Sequence, residues 1–165
     1  MPALEAGVHA PEISLTFLDG GKFSLRDALK KGPVVAVFFK VSCPVCQMAL
    51  PYLERIYEAY GKSGKFSFVG VSQDNTADTA AFNHRFGVTF PVLLEEKGYA
   101  VSAAYKLTNV PTVFIISPAG EIEFSSVSWS KSEVQELNRK LAHANGTAPA
   151  AIFRTGESVP EFKPG

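Results

Sequence analysis

Six consecutive apolar residues, Val34-Val35-Ala36-Val37-Phe38-Phe39, constrain this chain more than any other feature. All but Ala36 are β-branched or aromatic, which favours a strand. No polar residue alternates with them, so both faces of that strand must be covered, as in a parallel sheet with helices on either side. The chain is long enough to supply the cover. Its 165 residues fit one domain of ~150 residues. A chain of this size buries roughly 70% of its unfolded surface and needs no metal or disulfide staple. Hydrophobic residues at 46% against charged residues at 19% are those of an ordered globular chain.

The remaining elements follow from periodicity and punctuation. Residues 13–18 read as a short strand, Asp19-Gly20-Gly21-Lys22 as a hairpin turn, and Ser24 as the cap of a short helix over 25–30. Gly32-Pro33 breaks the chain before the apolar run. A helix is predicted over 43–60, with apolar positions 46, 49, 50, 53, 56, 57 and 60 on one face and Gly61 as its stop. Residues 66–71 form a second buried strand. A helix over 74–86 is capped by Asp74 or Asn75 and ended by Gly87. A short apolar segment at 90–94 and a short helix over 98–105 precede a third strong strand at 112–116. Ser117-Pro118-Ala119-Gly120 is a turn, residues 121–126 return as a hairpin partner, and 131–143 is the last helix. This order predicts an α/β fold: a central mixed sheet flanked by helices, parallel in its first half and antiparallel in its last hairpin. Residues 1–144 are read as the domain and 145–165, rich in Pro and Gly, as an irregular tail that Ile152-Phe153 pins down.

Cys43 and Cys46, the only cysteines, follow the apolar strand after the gap Lys40-Val41-Ser42. Two are too few for a disulfide scaffold or a four-cysteine zinc site. His9, His84 and His143 are not at paired ligand spacing, so no metal is expected. The strand–loop–helix context sets Cys43 at a helix N-terminus, where unpaired N–H groups and the macrodipole favour a thiolate. Cys46, one turn further and on the apolar face, keeps its proton longer. One cysteine to attack and one to resolve is what thiol–disulfide exchange requires. Pro44 suits the first turn because it has no N–H to lose. Lys40 either adds charge beside the pair or is a solvated lysine at a strand end. Glu54 and Glu58 fall away from the apolar face and are assigned nothing. Gln73-Asp74-Asn75 ends a strand on the cysteines' sheet edge and is a candidate for support.

With these residues in view the chain resembles the thioredoxin superfamily. A strand ending in two aromatics precedes the pair. Pro51 falls where thioredoxin-like active-site helices carry a kinking proline. Val110-Pro111-Thr112 looks like the family's cis-proline element, and an X-Pro bond opening a strand is a sensible place for a cis bond. The resemblance runs from about residue 11 to 143. The N-terminal hairpin and the segment 76–94 are extra to plain thioredoxin. They are similar to the TlpA and ResA thiol–disulfide proteins and to the broader alkyl-hydroperoxide-reductase/thiol-antioxidant group. So are Val69-Gly70-Val71-Ser72 and Phe90-Pro91-Val92-Leu93. The resemblance implies a thioredoxin-like fold with an N-terminal β-hairpin extension and a redox-active Cys43–Cys46 couple with no bound cofactor. It also implies a substrate chain docked beside Val110 and Pro111, with Pro44, Val45 and Lys40 in support. Three positions depart from it. Val37 stands where thioredoxin has a buried Asp that moves the resolving cysteine's proton, so that shuttle is absent or another group supplies it. Ser42 replaces the usual Trp. The pair encloses Pro-Val, and a proline directly after the first cysteine resembles glutaredoxin-type and oxidising members.

The expected activity is thiol–disulfide oxidoreduction on protein or small-molecule disulfides, fed by an external thiol or electron donor. A peroxiredoxin-like peroxidase is the alternative; it positions peroxide with Thr or Ser three residues before its cysteine and Pro seven before. Those places hold Lys40 and Ala36 for Cys43, and Cys43 and Phe39 for Cys46, so neither register fits. A third reading is a non-enzymatic module that docks a partner or holds Cu(I) on the two soft thiolates. Sixteen Lys and Arg cancel sixteen Asp and Glu, which argues against nucleic-acid and polybasic membrane binding. No stretch approaches the ~18 apolar residues of a membrane span. The N-terminus carries no basic or apolar leader region, so the expectation is a cytoplasmic monomer, or a periplasmic one whose leader has been removed.

Overall fold

The computed structural model describes residues 3–95 and 98–165; Met1 and Pro2, where the leader reading begins, lie outside the described residues. Strands β1 (Ser14–Phe17) and β2 (Lys22–Ser24) form the expected hairpin. Ser24 Oγ accepts from Asp27 N and caps α1 (Leu25–Leu29). β3 (Val34–Phe39) is the apolar run, and α2 (Pro44–Ile56) follows it, continuing through a π-helical turn at Tyr57–Gly61. Then come β4 (Ser67–Ser72), α3 (Thr76–Phe86), β5 (Val92–Leu94), α4 (Ala100–Ala104), β6 (Thr112–Ile116), β7 (Ile122–Val127), β8 (Trp129–Ser130), α5 (Lys131–Asn145) and β9 (Phe162–Lys163). Asn75 is the cap of α3, its Oδ1 accepting from Asp78 N at 2.8 Å, and Gly87 ends the helix in the left-handed region at φ 70°, where a side chain is disfavoured.

Seven strands make one mixed sheet in the order β2-β1-β5-β4-β3-β6-β7. β3, β4 and β5 run parallel; β6 is antiparallel to β3 and to β7, and β1 is antiparallel to β5. Alternation along β3 divides its side chains between two cores. Val35, Val37 and Phe39 join Leu50 and Leu53 of α2 and Leu137 and Leu141 of α5. Val34, Ala36 and Phe38 join Leu25, Tyr105 and Phe114 on the other face. Each large side chain buried this way is worth ~1.5–3 kcal/mol, which explains a strand with no polar residue.

The tail departs from the expectation of irregularity. β9 pairs antiparallel with β8, and Trp129 Nε1 donates to Pro160 O at 2.7 Å. Ile152 is buried, and the Phe153 ring packs 5.4 Å from Tyr52 and 6.3 Å from Trp129. The Arg55 guanidinium donates to Ile152 O at 2.8 Å and to both Glu157 oxygens at 2.8 and 2.7 Å. That pairing, helped by the Arg154 backbone N–H, holds the Glu157 carboxyl down at about 2. Side-chain donors on α2 and β8 satisfy this segment, so its Pro- and Gly-rich composition carries no pattern of regular structure. Among the described residues no helix is long and apolar enough to cross a membrane.

Candidate active site

The chain leaves the end of β3 at Phe39, crosses residues 40–42 and enters α2 through Cys43. Cys43 is the N-cap, with extended backbone (φ −82°, ψ 115°), and its sulfur accepts from the Cys46 N–H at 3.3 Å. A cap of this kind satisfies one of the helix's first unpaired donors. Pro44 occupies the first turn and is exposed; Val45 is half-buried against the core. The Cys43 thiol is half-buried and donates to Val110 O at 3.5 Å. Val110 precedes a cis bond to Pro111, and Pro111 itself is buried. The fold thus sets the start of α2 against the loop ahead of β6, 67 residues away in sequence.

Cys46 is fully buried. Burial pushes its thiol well above the ordinary range. A hydrogen bond from the Lys40 backbone pulls the other way, while the Cys43 sulfur and the charge of Asp74 push it further up. A buried thiol beside negative charge stays protonated. Lys40 meets both cysteines through its main chain, since its carbonyl also accepts from Cys43 N at 3.2 Å; its side chain is exposed.

Two side chains hold the loop before Cys43. Asp74 Oδ2 accepts from Val41 N at 2.8 Å, and Gln47 Nε2 donates to Val41 O at 3.0 Å. Val37, at the position of thioredoxin's buried Asp, is itself fully buried among apolar neighbours. Asp74 brings a carboxylate to the site from β4's end, which sequence spacing placed only on the same sheet edge.

Glu54, assigned nothing from sequence, is a correction. It is 5% exposed and accepts from Thr89 N at 2.8 Å, Thr89 Oγ1 at 2.5 Å and Phe90 N at 3.2 Å. The signal was its place in the helical stripe, four residues after Leu50 and three before Tyr57. The loop ahead of β5 closes over that margin and ties the cysteine-bearing helix to the sheet. Among the described residues, no group of three or more His, Cys, Asp and Glu gathers where it could hold a metal.

Comparison with known proteins agrees with this geometry. The model of the AhpC/TSA family matches residues 6–125. The thioredoxin-like protein YneN of Bacillus subtilis (strain 168) is 30% identical over 138 residues, covering 81% of this chain and 78% of that protein. The thiol-disulfide oxidoreductase ResA of Geobacillus kaustophilus is 32% identical over 122 residues, covering 73% and 68%. Among solved structures, the thioredoxin domain of a thiol-disulfide oxidoreductase from Bacteroides vulgatus superimposes with a TM-score of 0.73 at 26% identity, covering 84% of this chain and 98% of that one. A thiol:disulfide interchange protein from Bacteroides sp. gives 0.71 at 26% identity, covering 83% and 90%. With the fold, the cysteine placement and these relatives in agreement, the chain belongs to the AhpC/TSA family and is a ResA-like member of the thioredoxin superfamily.

Proposed function

We propose that this protein is a dithiol–disulfide oxidoreductase in which Cys43 attacks and Cys46 resolves, acting on protein or small-molecule disulfides with the help of an external thiol donor. One observation carries the reading: a half-buried sulfur caps a helix and touches the Val110 carbonyl, with a fully buried thiol one turn behind it. Solvent and substrate have access to the first sulfur and not to the second.

The thiolate of Cys43 attacks one sulfur of a substrate disulfide. The substrate S–S bond breaks, and the leaving thiolate takes a proton from solvent. Cys46 is held as a thiol until this point. Tying Cys43 into the mixed disulfide removes one of the negative charges that kept Cys46 protonated, so its proton leaves more readily and ends on the departing substrate thiolate. Cys46 then attacks the Cys43 sulfur and expels the second substrate thiolate. Two electrons have passed to the substrate and the pair is a disulfide, which an external thiol reduces by the same exchange. The sequence run backwards oxidises a substrate dithiol. The backbone beside Val110 and Pro111 guides the substrate chain, supported by its contact with the attacking sulfur.

Ser is itself a good N-cap, so Cys43→Ser removes the nucleophile while keeping the helix start. It should abolish disulfide reduction and form no mixed disulfide. Cys46→Ser should accumulate the mixed disulfide, read as a mass increase that a small thiol reverses. Full activity in Cys43→Ser would overturn the proposal.

A further inference from the structure

The segment that follows α5 returns to the cysteine site. Glu161 O accepts from Lys131 N at 2.9 Å, Pro160 is held by Trp129, and Lys163 lies opposite Trp129 in the β8–β9 pair. Gly165 then lies on the loop ahead of β6. Asn109 Nδ2 donates to its carbonyl at 2.7 Å, and its own N–H donates to Ser128 Oγ at 3.0 Å. Its Cα sits so close to Val110 that a Cβ there would run into the Val110 carbonyl. That same oxygen accepts from the Cys43 thiol. Ser128 completes the clasp: its N–H donates to Pro111 O at 2.9 Å while its backbone holds a left-handed φ of 67°. Non-glycine residues persist in that region only where the surroundings enforce it, and such strain gathers at ligand clamps.

We infer that residues 160–165 form a specificity-determining strap that occupies the polypeptide-docking side of Val110. An extended polypeptide disulfide must displace Gly165 to reach Cys43, whereas a small disulfide need not. The inference rests on the proposed docking role of Val110 and Pro111. Backbone docking uses the main-chain groups of an exposed edge, and the edge beside Val110 cannot hold two chains at once. The apparent affinity for a polypeptide is therefore reduced by the fraction of molecules in which the strap is open. Glycine is the residue that fits, because any side chain at 165 collides with Val110.

Two variants of the whole 165-residue chain open the strap without shortening it. Gly165→Val introduces the collision, and Asn109→Ala combined with Ser128→Ala removes both hydrogen bonds. Reduced protein is mixed with oxidised insulin or with bis(2-hydroxyethyl) disulfide, and single-turnover oxidation is followed by alkylation and mass spectrometry. Both variants should accelerate the insulin reaction by about fivefold or more, the equivalent of about one net hydrogen bond. The small-disulfide rate should stay within about twofold of wild type, which also shows that the site is folded. An insulin rate that is unchanged or lower, or two substrates that accelerate together, overturns the strap. Pro111→Ala, which loosens the chain direction at Val110, separates the two ideas. If it slows insulin while the strap variants gain nothing, only the strap fails. If it leaves insulin unaffected, the docking role fails and the strap with it.

Discussion

Replacing Glu54 probes how the cysteine-bearing helix is fastened to the sheet. The carboxylate is buried and accepts two main-chain N–H bonds and one hydroxyl bond from Thr89 and Phe90. Hydrogen bonds to a charged group are worth about 1.5–3 kcal/mol each, so three sum to an upper bound of roughly 9 kcal/mol. The observed loss in Glu54→Ala will be smaller. Thr89 is exposed and its groups recover water, while Phe90 is 2% exposed and its N–H does not. That leaves one stranded donor, about 1–3 kcal/mol, plus a small cavity and the partial loss of the Thr89 bonds. The expected destabilisation is about 3–4 kcal/mol, a large share of a total stability of ~5–15 kcal/mol. Glu54→Gln keeps the shape and a carbonyl for the two N–H groups, and the Thr89 hydroxyl can turn to accept from the new amide. It should cost about 1 kcal/mol. Urea unfolding at pH 7 reads both, with unchanged m-values confirming that only stability has moved. A cost below about 1 kcal/mol for Ala, or equal costs for Ala and Gln, refutes the accounting, because it would mean that water replaces the carboxylate without penalty.

Two further outcomes follow from the same contacts. Burial raises the Cys46 thiol above its ordinary value of 9.0, so the unfolded chain loses this proton first. Its stabilisation is complete below that pH and is lost as pH rises beyond it, by up to ~1.4 kcal/mol per pH unit. Urea titrations under reductant at pH 7, 9 and 10 should show wild type losing ground against Cys46→Ala only above about pH 9; a pH-independent gap contradicts the burial argument. The Tyr60 hydroxyl donates to Asn138 Oδ1 at 2.6 Å and accepts from Ala150 N at 2.7 Å, so Tyr60→Phe should cost about 2 kcal/mol. It should also speed hydrogen exchange around residue 150; no change there would show that the tail is held elsewhere.

Much of the fold was legible because its signals are local. An apolar run without alternation demands cover on both faces, and β3 has it. Caps at Ser24 and Asn75 and the stop at Gly87 follow from which side chains satisfy helix ends and which residue tolerates a left-handed backbone. The Cys43–Cys46 pair was legible for the same reason: a strand end, a short loop and a helix start are contiguous in sequence, so their geometry needs no distant partner. Glu54, Asp74 and the tail were not legible in this way. A carboxylate at the margin of an apolar stripe reads as solvated until a loop 35 residues on closes over it. Asp74 reaches the site only because β3 and β4 lie side by side in parallel. The tail lacks periodicity because the carbonyls of Ala150, Ile152 and Pro160 go to the side chains of Asn138, Arg55 and Trp129, and only the two residues of β9 join a ladder. The sequence by itself determined the α/β framework and the cysteine pair at a helix start, since propensity, capping and burial act over a few residues. Tertiary structure alone decided which carbonyl faces the sulfur, which carboxylates are buried and where Gly165 comes to rest, since those depend on contacts between segments whose spacing along the chain carries no trace of their meeting.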